Sequence, residues 1–266
     1  MSGGGMRCCW NAGVLDSLSK DPNVPDFDIV IAASGSSGPA TYYVSRQLEF
    51  LDQTFGAALS SRRLLNIWRF WRIFDVDYLV DKILKKRFPV DSKTLYSSKQ
   101  RLYIPVIHSD TGRIKYFCNK NGDDMMQAIK ATHSAPVFTK GSVEIDGHPY
   151  QDSLVTSYPY FHIQMARRLG AEKIVVIDCL SKPGFLTKME QLITRRHPDD
   201  FKYQIHRRHA QLIKNYGQKS DWIIRVKPSG KIPADEFEIN GEKLLAGLNM
   251  GRQDGKKINW KRFFDK

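Results

Sequence analysis

Short apolar runs alternate with amphipathic stretches along most of the chain. The β-branched runs are bounded by turn residues and predict buried strands at residues 27–33, 102–108, 114–118 and 173–178. Helical spacing of apolar residues predicts helices at residues 37–55 and 158–169. Strands that alternate with helices indicate an α/β fold with a mostly parallel central sheet and helices on both faces.

The sequence contains no internal repeat and no linker rich in Gly, Pro or Ser. We therefore expect one compact unit, with a core over residues 1–181 and a basic extension over residues 182–266 that packs on the same domain. Residues 182–231 contain twelve Lys and Arg against four Asp and Glu. This part of the extension is strongly positive.

The whole chain carries a formal net charge of +13, which favours anionic partners. Charge alone does not separate nucleic acid from an anionic membrane surface. Since no recognisable nucleic-acid module is present, we expect no nucleic acid partner and a peripheral contact with an anionic membrane. The sequence contains no run of about 18 apolar residues, so it predicts no membrane span.

The chain has four cysteines, Cys8, Cys9, Cys118 and Cys179. They form neither a Cys-x-x-Cys pair nor a spacing typical of metal sites, and no secretory signal precedes them. We therefore expect free thiols in a reducing compartment, and a cytoplasmic protein that is at most peripheral at the membrane. We expect no metal and no cofactor.

The first predicted strand runs directly into Ser34-Gly35-Ser36-Ser37-Gly38. A serine between a strand and a helix, with small residues two before and two after, is typical of a nucleophile elbow, whose sharp turn excludes larger side chains. With Ser34 before it and Gly38 after it, Ser36 is the predicted nucleophile. Taken alone, the motif fits a loop that caps a helix at least as well.

A glycine run, Gly3-Gly4-Gly5-Met6-Arg7, opens the chain and precedes a helical pattern. Glycine-rich turns leave backbone N–H groups free to bind a phosphate or an oxyanion. The run is a poor dinucleotide fingerprint, because Cys8 stands at the third glycine position and no strand precedes it. It also lacks the Gly-Lys-Ser/Thr ending of a Walker loop.

A third motif, Tyr150-Gln151-Asp152-Ser153-Leu154, follows an apparent hairpin at residues 143–147. An Asp in such a turn usually accepts local backbone hydrogen bonds. The presence of the glycine run and the serine elbow earlier in the chain makes Asp152 a candidate base.

Glycine run, serine elbow and later Asp, in this order, resemble the patatin-like phospholipase family over roughly residues 3–178. In that family the glycine loop forms the oxyanion hole, the elbow serine is the nucleophile, and the Asp of an Asp-Gly pair is the base. Residues 131–136 and 166–171 resemble further regions of the family, particularly of its bacterial members.

The resemblance implies a three-layer α/β fold and a serine lipid acyl hydrolase of the phospholipase A, lysophospholipase or esterase type. It implies a catalytic dyad of Ser36 and Asp152 that needs no histidine. The residues it implies for the oxyanion loop and for substrate binding are Gly3, Gly4, Gly5, Met6, Arg7, Ser37 and Gly38. Arg7 either steadies the loop or attracts a head group.

The chain departs from the family pattern at three positions, where Ser34, Cys8 and Ser153 replace glycines. Because serine and cysteine are small, we expect strained but intact turns. The family's first strand normally precedes the glycine run, where this sequence has only Met1 and Ser2. A missing strand would leave its neighbour unpaired and the oxyanion loop poorly anchored.

Two other functions remain open. A Ser-His-Asp triad would draw its histidine from the residues downstream of Asp152, namely His162, His197, His206 and His209. The last two of these also have the spacing of a metal pair, but no third ligand is evident. A catalytically impaired protein that binds anionic membrane lipid is the alternative outside enzymes, with residues 182–231 supplying the charge.

Residues 62–74 combine large apolar side chains with arginines at near-helical spacing. This pattern predicts either an interfacial helix, with aromatic rings in the acyl region and Arg at the head groups, or an amphipathic helix packed on the sheet.

Overall fold

The computed structural model describes residues 1–66, 68–69, 72–136, 138–180 and 221–265. The α-helices within these ranges are α1 (Cys8–Ser19), α2 (Ser37–Val44), α3 (Leu51–Gln53), α4 (Ser92–Ser97), α5 (Met125–His133), α6 (Leu154–Ser157), α7 (Ile163–Arg168), α8 (Gly241–Lys256) and α9 (Trp260–Phe264). Short 3₁₀ turns cover Gly5–Arg7, Ser34–Ser36, Leu48–Phe50 and Pro159–His162, and wider π-type turns cover Thr54–Ala58 and Tyr78–Arg87.

The strands are β1 (Ile29–Ile31), β2 (Arg101–His108), β3 (Ile114–Cys118), β4 (Val143–Ile145), β5 (His148–Gln151), β6 (Ile174–Ile177) and β7 (Ile223–Val226). Strand β2 pairs in parallel with β1 and antiparallel with β3 and β5, while β4 pairs antiparallel with β5. Strands β6 and β7 form a separate parallel pair. The chain is thus a mixed α/β protein, as expected, but a mostly parallel sheet is not confirmed in the described residues.

The predicted strands are confirmed to within a few residues, and the long helix predicted at residues 37–55 divides after Val44. Strand β2 is buried on both faces over its interior, as its continuous apolar run predicts. The β4–β5 hairpin turns through Asp146 (φ 52°) and Gly147 (φ 75°). Two successive residues with positive φ match the twist of a tight hairpin, which brings Asp152 to the end of β5 beside β2.

The first two residues of the chain lie between the edges of β1 and β6. The Met1 amino group donates to Ile31 O over 2.7 Å, and Ser2 N–H donates to Ile177 O over 2.9 Å. Beside Met1, residues of β1 and β6 line an apolar groove with an empty volume of about 720 Å³. The glycine run is therefore anchored to both sheets at its start.

The described part of the basic extension packs on residues 1–181. Strand β7 pairs with β6, and helix α8 crosses α1 at very close range. An added Cβ at Gly13 would lie 1.9 Å from Leu248 O, and one at Gly251 would lie 2.1 Å from Trp10 O. Glycines at the crossing allow the two backbones to touch, and the Trp10 indole N–H donates to Asp254 at 2.9 Å.

The prediction of a helix over residues 62–74 is wrong for the described residues, which form a hairpin-like loop. Asn66 N–H donates to Ile73 O over 2.8 Å, and Leu65 forms a single antiparallel bridge with Phe74. The side chain of Trp68, near the tip, is 76% exposed. Helical spacing was misleading here because Leu64 and Leu65 are buried from a loop and not from a continuous helix.

Among the residues described, no helix is long and apolar enough to cross a membrane. All four cysteines are free and buried. Most of the basic stretch at residues 182–231 lies outside the described residues, as do His197, His206 and His209.

Candidate active site

The turn that follows β1 is strained at Ser34. Ala33 is still extended, but Ser34 has a φ of 48°, which residues with a Cβ seldom adopt. Its neighbours two before and two after, Ala32 and Ser36, are small and fully buried. The Ser34 N–H donates to Thr132 Oγ1 over 2.9 Å. Such a conformation costs about 1–3 kcal/mol and persists only where the surrounding structure fixes it.

Asp152 lies directly after β5, where its N–H donates to Ser134 O over 3.0 Å. Its Oδ1 accepts hydrogen bonds from Ser153 N–H at 2.7 Å, Thr156 Oγ1 at 3.3 Å and Ser157 Oγ at 3.4 Å. The Ser34 side chain lies near enough to this carboxyl to lower its pKa. The hydroxyls of α6 thus hold one carboxyl oxygen in place, while Ser34 lies beside the group on the β1 turn.

Burial raises the pKa of Asp152 to about 7, against the opposing effect of the hydrogen bonds from Ser34, Ser153, Thr156 and Ser157. Since proton transfer is most effective when the pKa of the base lies near the working pH, this carboxyl is suited to act as a general base near neutrality. A perturbed carboxyl in contact with a strained serine is a typical signature of a catalytic site.

Ser36 has different surroundings. Its side chain is 0% exposed, its Oγ donates to Ser2 O over 2.6 Å, and it accepts a hydrogen bond from Asn11 Nδ2 at 2.8 Å. None of the hydrogen bonds that the described residues make to the Asp152 carboxyl comes from Ser36. The structure thus places the predicted nucleophile in a buried polar network behind the turn.

The glycine run lies against the strained turn. Gly4 and Gly5 have φ values of 143° and 58°. An added Cβ at Gly3 would lie 3.0 Å from Ser34 Cβ, and one at Gly35 would lie 2.4 Å from Gly5 O. Within the described part of the chain, no hydrogen-bond acceptor contacts the N–H groups of Gly4, Gly5 or Gly35. N–H groups without an acceptor beside a serine are the donors that an oxyanion hole needs.

The segment around Glu236 holds the glycine run from the other side. Met6 N–H donates to Glu236 O over 3.2 Å, and the Arg7 guanidinium contacts the Glu236 carboxylate at 2.9 Å. An added Cβ at Gly5 would lie 2.5 Å from Glu236 O. Arg7 therefore ties the glycine run to the segment around Glu236.

An apolar cavity with an empty volume of about 960 Å³, its opening included, extends from this turn. Its wall near the turn includes Gly5, Ser34, Gly35 and Asp152. The remainder is mostly hydrocarbon and aromatic, from α2, the π-type segments and the hairpin-like loop, and includes Pro39, Tyr42, Leu51, Phe55, Leu59, Leu64, Leu65, Phe74, Leu79 and Leu84. A pocket of this size and composition accommodates an extended apolar ligand.

The histidine that a triad would need is not available at His162. Its Nε2 lies 2.9 Å from Thr156 O and its Nδ1 lies 2.8 Å from the Tyr116 hydroxyl, so both ring nitrogens are engaged. Burial lowers the pKa of His162 to about 4. In the described ranges, no group of three His, Cys, Asp or Glu side chains could hold a metal.

The predicted site residues thus fall into two groups. Asp152, Gly5, Met6 and Gly38 line the cavity. Those that do not line it are Gly3, Gly4, Arg7, Ser36 and Ser37. Ser37 is fully buried, and no hydrogen-bond partner of its Oγ is found among the residues described.

Sequence reasoning missed Ser34, Gly35 and Thr132 as parts of the site. The available signal was the size of the residues around Ser34, since Ala32 and Ser36 are the small residues two before and two after it. A glycine two residues after the nucleophile is typical of the elbow, and Gly38 therefore favoured Ser36 as the nucleophile. An added Cβ at Gly38, however, would meet nothing within 4 Å.

A sequence model of the family described as Patatin-like phospholipase matches residues 1–159. This match covers more than half of the chain and includes the glycine run, the turn after β1 and Asp152. No curated protein sequence matches the chain.

Proposed function

The chain belongs to the patatin-like phospholipase family, whose activity is lipid acyl hydrolysis, and on that premise we propose that it hydrolyses carboxylic esters of lipids with a dyad of Ser34 and Asp152. The observation that carries this proposal is the strained Ser34, which lies beside the raised-pKa carboxyl of Asp152 at the wall of an apolar cavity. Ser34 takes the role that the sequence assigned to Ser36.

In the first step the Ser34 Oγ–H bond breaks as Oγ attacks the ester carbonyl carbon, and the proton passes to Asp152. Three donors fix Oδ1 of Asp152, so Oδ2 is the oxygen that receives it. Formation of the Oγ–C bond converts the carbonyl oxygen into an oxyanion. The strained turn holds the Ser34 hydroxyl where this attack is possible.

The oxyanion accepts hydrogen bonds from Gly5 N–H and Gly35 N–H, which line the cavity and have no acceptor within the described part of the chain. Gly4 N–H is a third candidate donor. When the intermediate collapses, the bond to the leaving alcohol breaks and the alcohol takes the proton from Asp152. Water then attacks the acyl-Ser34 with Asp152 again as base, which releases the fatty acid and restores the serine.

The apolar cavity is the proposed acyl site. Its hydrocarbon wall begins beside Ser34 and includes residues from α2 and from the π-type segment Tyr78–Arg87. Removal of an acyl chain from water is favourable by about 0.8 kcal/mol per CH₂, so binding energy grows with chain length until the cavity is full. A three-layer arrangement of the fold agrees with this placement of helices around the site and is part of the proposal.

The proposed membrane contact is the hairpin-like loop of residues 62–74. Its Trp68 is exposed, while Leu64, Leu65 and Phe74 of the same loop line the cavity. Tryptophan is favoured at membrane interfaces, and the net charge of +13 attracts an anionic surface. An exposed aromatic residue beside the acyl site would hold the opening of the cavity against the lipid.

Hydrolysis of p-nitrophenyl butyrate by the wild type and by the Ser34→Ala and Asp152→Asn variants tests the dyad. Both variants should fold, as checked by circular dichroism, and both should lose activity by at least about 1,000-fold. Full activity in folded Ser34→Ala would overturn the proposal. An inactive wild type that binds anionic vesicles would favour the impaired lipid-binding protein instead.

A further inference from the structure

His133 ends helix α5 and lies between two residues that hold the catalytic centre. On one side Thr132 Oγ1 accepts the Ser34 N–H at 2.9 Å, and on the other Ser134 O accepts the Asp152 N–H at 3.0 Å. The His133 side chain lines the same cavity as Ser34 and Asp152. The imidazole is therefore at the ester end of the cavity.

The orientation of the ring is fixed by two contacts. Nδ1 lies 2.9 Å from Ile129 O, and since a carbonyl only accepts, Nδ1 carries a proton. The ring stacks on Phe74 with an interplanar angle of 9° and a centroid distance of 5.9 Å. These contacts leave Nε2 as the free polar atom of His133, and no partner for it is found among the residues described.

Burial lowers the pKa of His133 to about 4, so the ring is neutral at pH 7 and Nε2 is a hydrogen-bond acceptor. The acidic side chains of the same cavity wall, Asp152 and Glu236, also accept hydrogen bonds when ionised. A phosphate close to the ester would be disfavoured here, because its oxygens are themselves acceptors. A hydroxyl is favoured, because it can donate a hydrogen bond to one of these acceptors. The Tyr42 hydroxyl is already used, because it donates to Phe88 O at 2.8 Å.

We propose that His133 Nε2 accepts a hydrogen bond from a free hydroxyl on the alcohol part of the substrate, next to the scissile ester. The preferred substrates are therefore monoacyl esters of a polyol, such as a monoacylglycerol, rather than fully acylated lipids. This inference rests on the proposed hydrolase function. It makes His133 a substrate-binding residue that selects the alcohol, while the apolar cavity selects the acyl chain.

The test compares two soluble esters of the same acid, 1-butyrylglycerol and propyl butyrate, which differ in the hydroxyls of the alcohol. The wild type should prefer the glycerol ester by about tenfold in kcat/KM, the scale of one hydrogen bond made at a partly buried acceptor. The His133→Phe variant retains a ring that stacks on Phe74 but lacks the acceptor. It should lose this preference, so that the ratio of kcat/KM for the two esters falls to about one.

The His133→Gln variant is the matched control, because its side-chain carbonyl can accept near the position of Nε2. It should recover part of the preference. Equal losses on both esters in His133→Phe would indicate a structural role and overturn the inference, as would an unchanged preference. The Ser34→Ala variant separates the two proposals: if it hydrolyses both esters at the wild-type rate, the proposed function itself fails.

Discussion

The two serines at the ends of the 3₁₀ turn after β1 lie two residues apart in very different surroundings. Ser34 has a positive φ, lines the apolar cavity and lies beside the buried carboxyl of Asp152. Ser36 is fully buried and links Ser2 O to the Asn11 amide. One end of the turn lines the cavity, and the other fastens the turn to the glycine run and α1. Identical side chains thus differ in backbone strain, access and partners.

Substitution of each serine by alanine gives the largest expected difference. Ser34→Ala should reduce turnover of a p-nitrophenyl ester by at least about 1,000-fold without loss of stability, because it removes the nucleophile. Ser36→Ala should keep turnover within about tenfold and lower the free energy of unfolding by about 1–3 kcal/mol, since a buried hydrogen-bonding network loses a member. Turnover and urea denaturation of both variants measure this. The reverse pattern would return the nucleophile to Ser36.

The glycine run that Ser36 fastens should be almost as sensitive as Ser34. Gly5→Ala places a Cβ 2.5 Å from Glu236 O at a φ of 58°, which should displace the N–H groups beside Ser34. Loss of one oxyanion donor costs about 100- to 1,000-fold in turnover. Gly122→Ala is the control, since Gly122 has a φ of 79° but an added Cβ meets nothing within 4 Å. Equal turnover in the two variants would argue against an oxyanion role.

Asp152, the proposed base for Ser34, determines how hydrolysis depends on pH. Asp152 must be ionised to accept the Ser34 proton, and burial raises its pKa to about 7. The value of kcat/KM should therefore fall about tenfold per pH unit below pH 7 and level off above it. His133 and His162, with pKa values lowered by burial to about 4, are neutral over this range. A profile that stays flat from pH 5 to pH 8 would contradict Asp152 as the base.

Substitutions of Gly38 distinguish Ser34 from Ser36, because the expected role of Gly38 depends on which serine is the nucleophile. With Ser36 as nucleophile it is the small residue two positions on, whereas with Ser34 it is only part of the cavity wall. An added Cβ at Gly38 meets nothing within 4 Å, so Gly38→Ala should retain activity. Gly38→Leu should fill the cavity and reduce hydrolysis of long-chain relative to short-chain esters by about tenfold. Inactive but folded Gly38→Ala would favour the elbow centred on Ser36.

The smallest expected effect concerns a residue outside the turn. Trp68→Ala should reduce hydrolysis of esters in anionic vesicles a few-fold, because an interfacial aromatic contact is lost. It should leave hydrolysis of p-nitrophenyl butyrate in solution unchanged. Added salt should weaken vesicle binding in both proteins, since the positive charge is screened. Equal loss on vesicles and on the soluble ester would exclude a membrane role for Trp68.

Much of the fold followed from local patterns. The β-branched runs predicted β2, β3 and β6 because buried strands need continuous apolar residues. The Asp146-Gly147 turn predicted the hairpin that leads to Asp152. The loop at residues 62–74 was not predictable, because its apolar side chains and arginines have the spacing of a helix but the tertiary structure pairs Leu65 with Phe74.

The site was predictable as a region and not as individual side chains. The order of glycine run, serine turn and Asp152 selected segments that the structure brings together around one cavity. The choice between Ser34 and Ser36 depends on φ, burial and contacts with Asn11 and Asp152, which are distant in sequence. His133 was not selected, because its place between the residues that bond the backbone of Ser34 and Asp152 is evident only in the structure.

The most direct test of Ser34 as the nucleophile is to find which serine reacts with a fluorophosphonate. The wild-type protein is labelled near pH 8, digested, and the modified residue is located by fragmentation mass spectrometry of the peptide that contains both serines. If Ser34 is the nucleophile, the adduct forms on Ser34, is abolished in Ser34→Ala and is retained in Ser36→Ala. An adduct on Ser36 that persists in Ser34→Ala would contradict it.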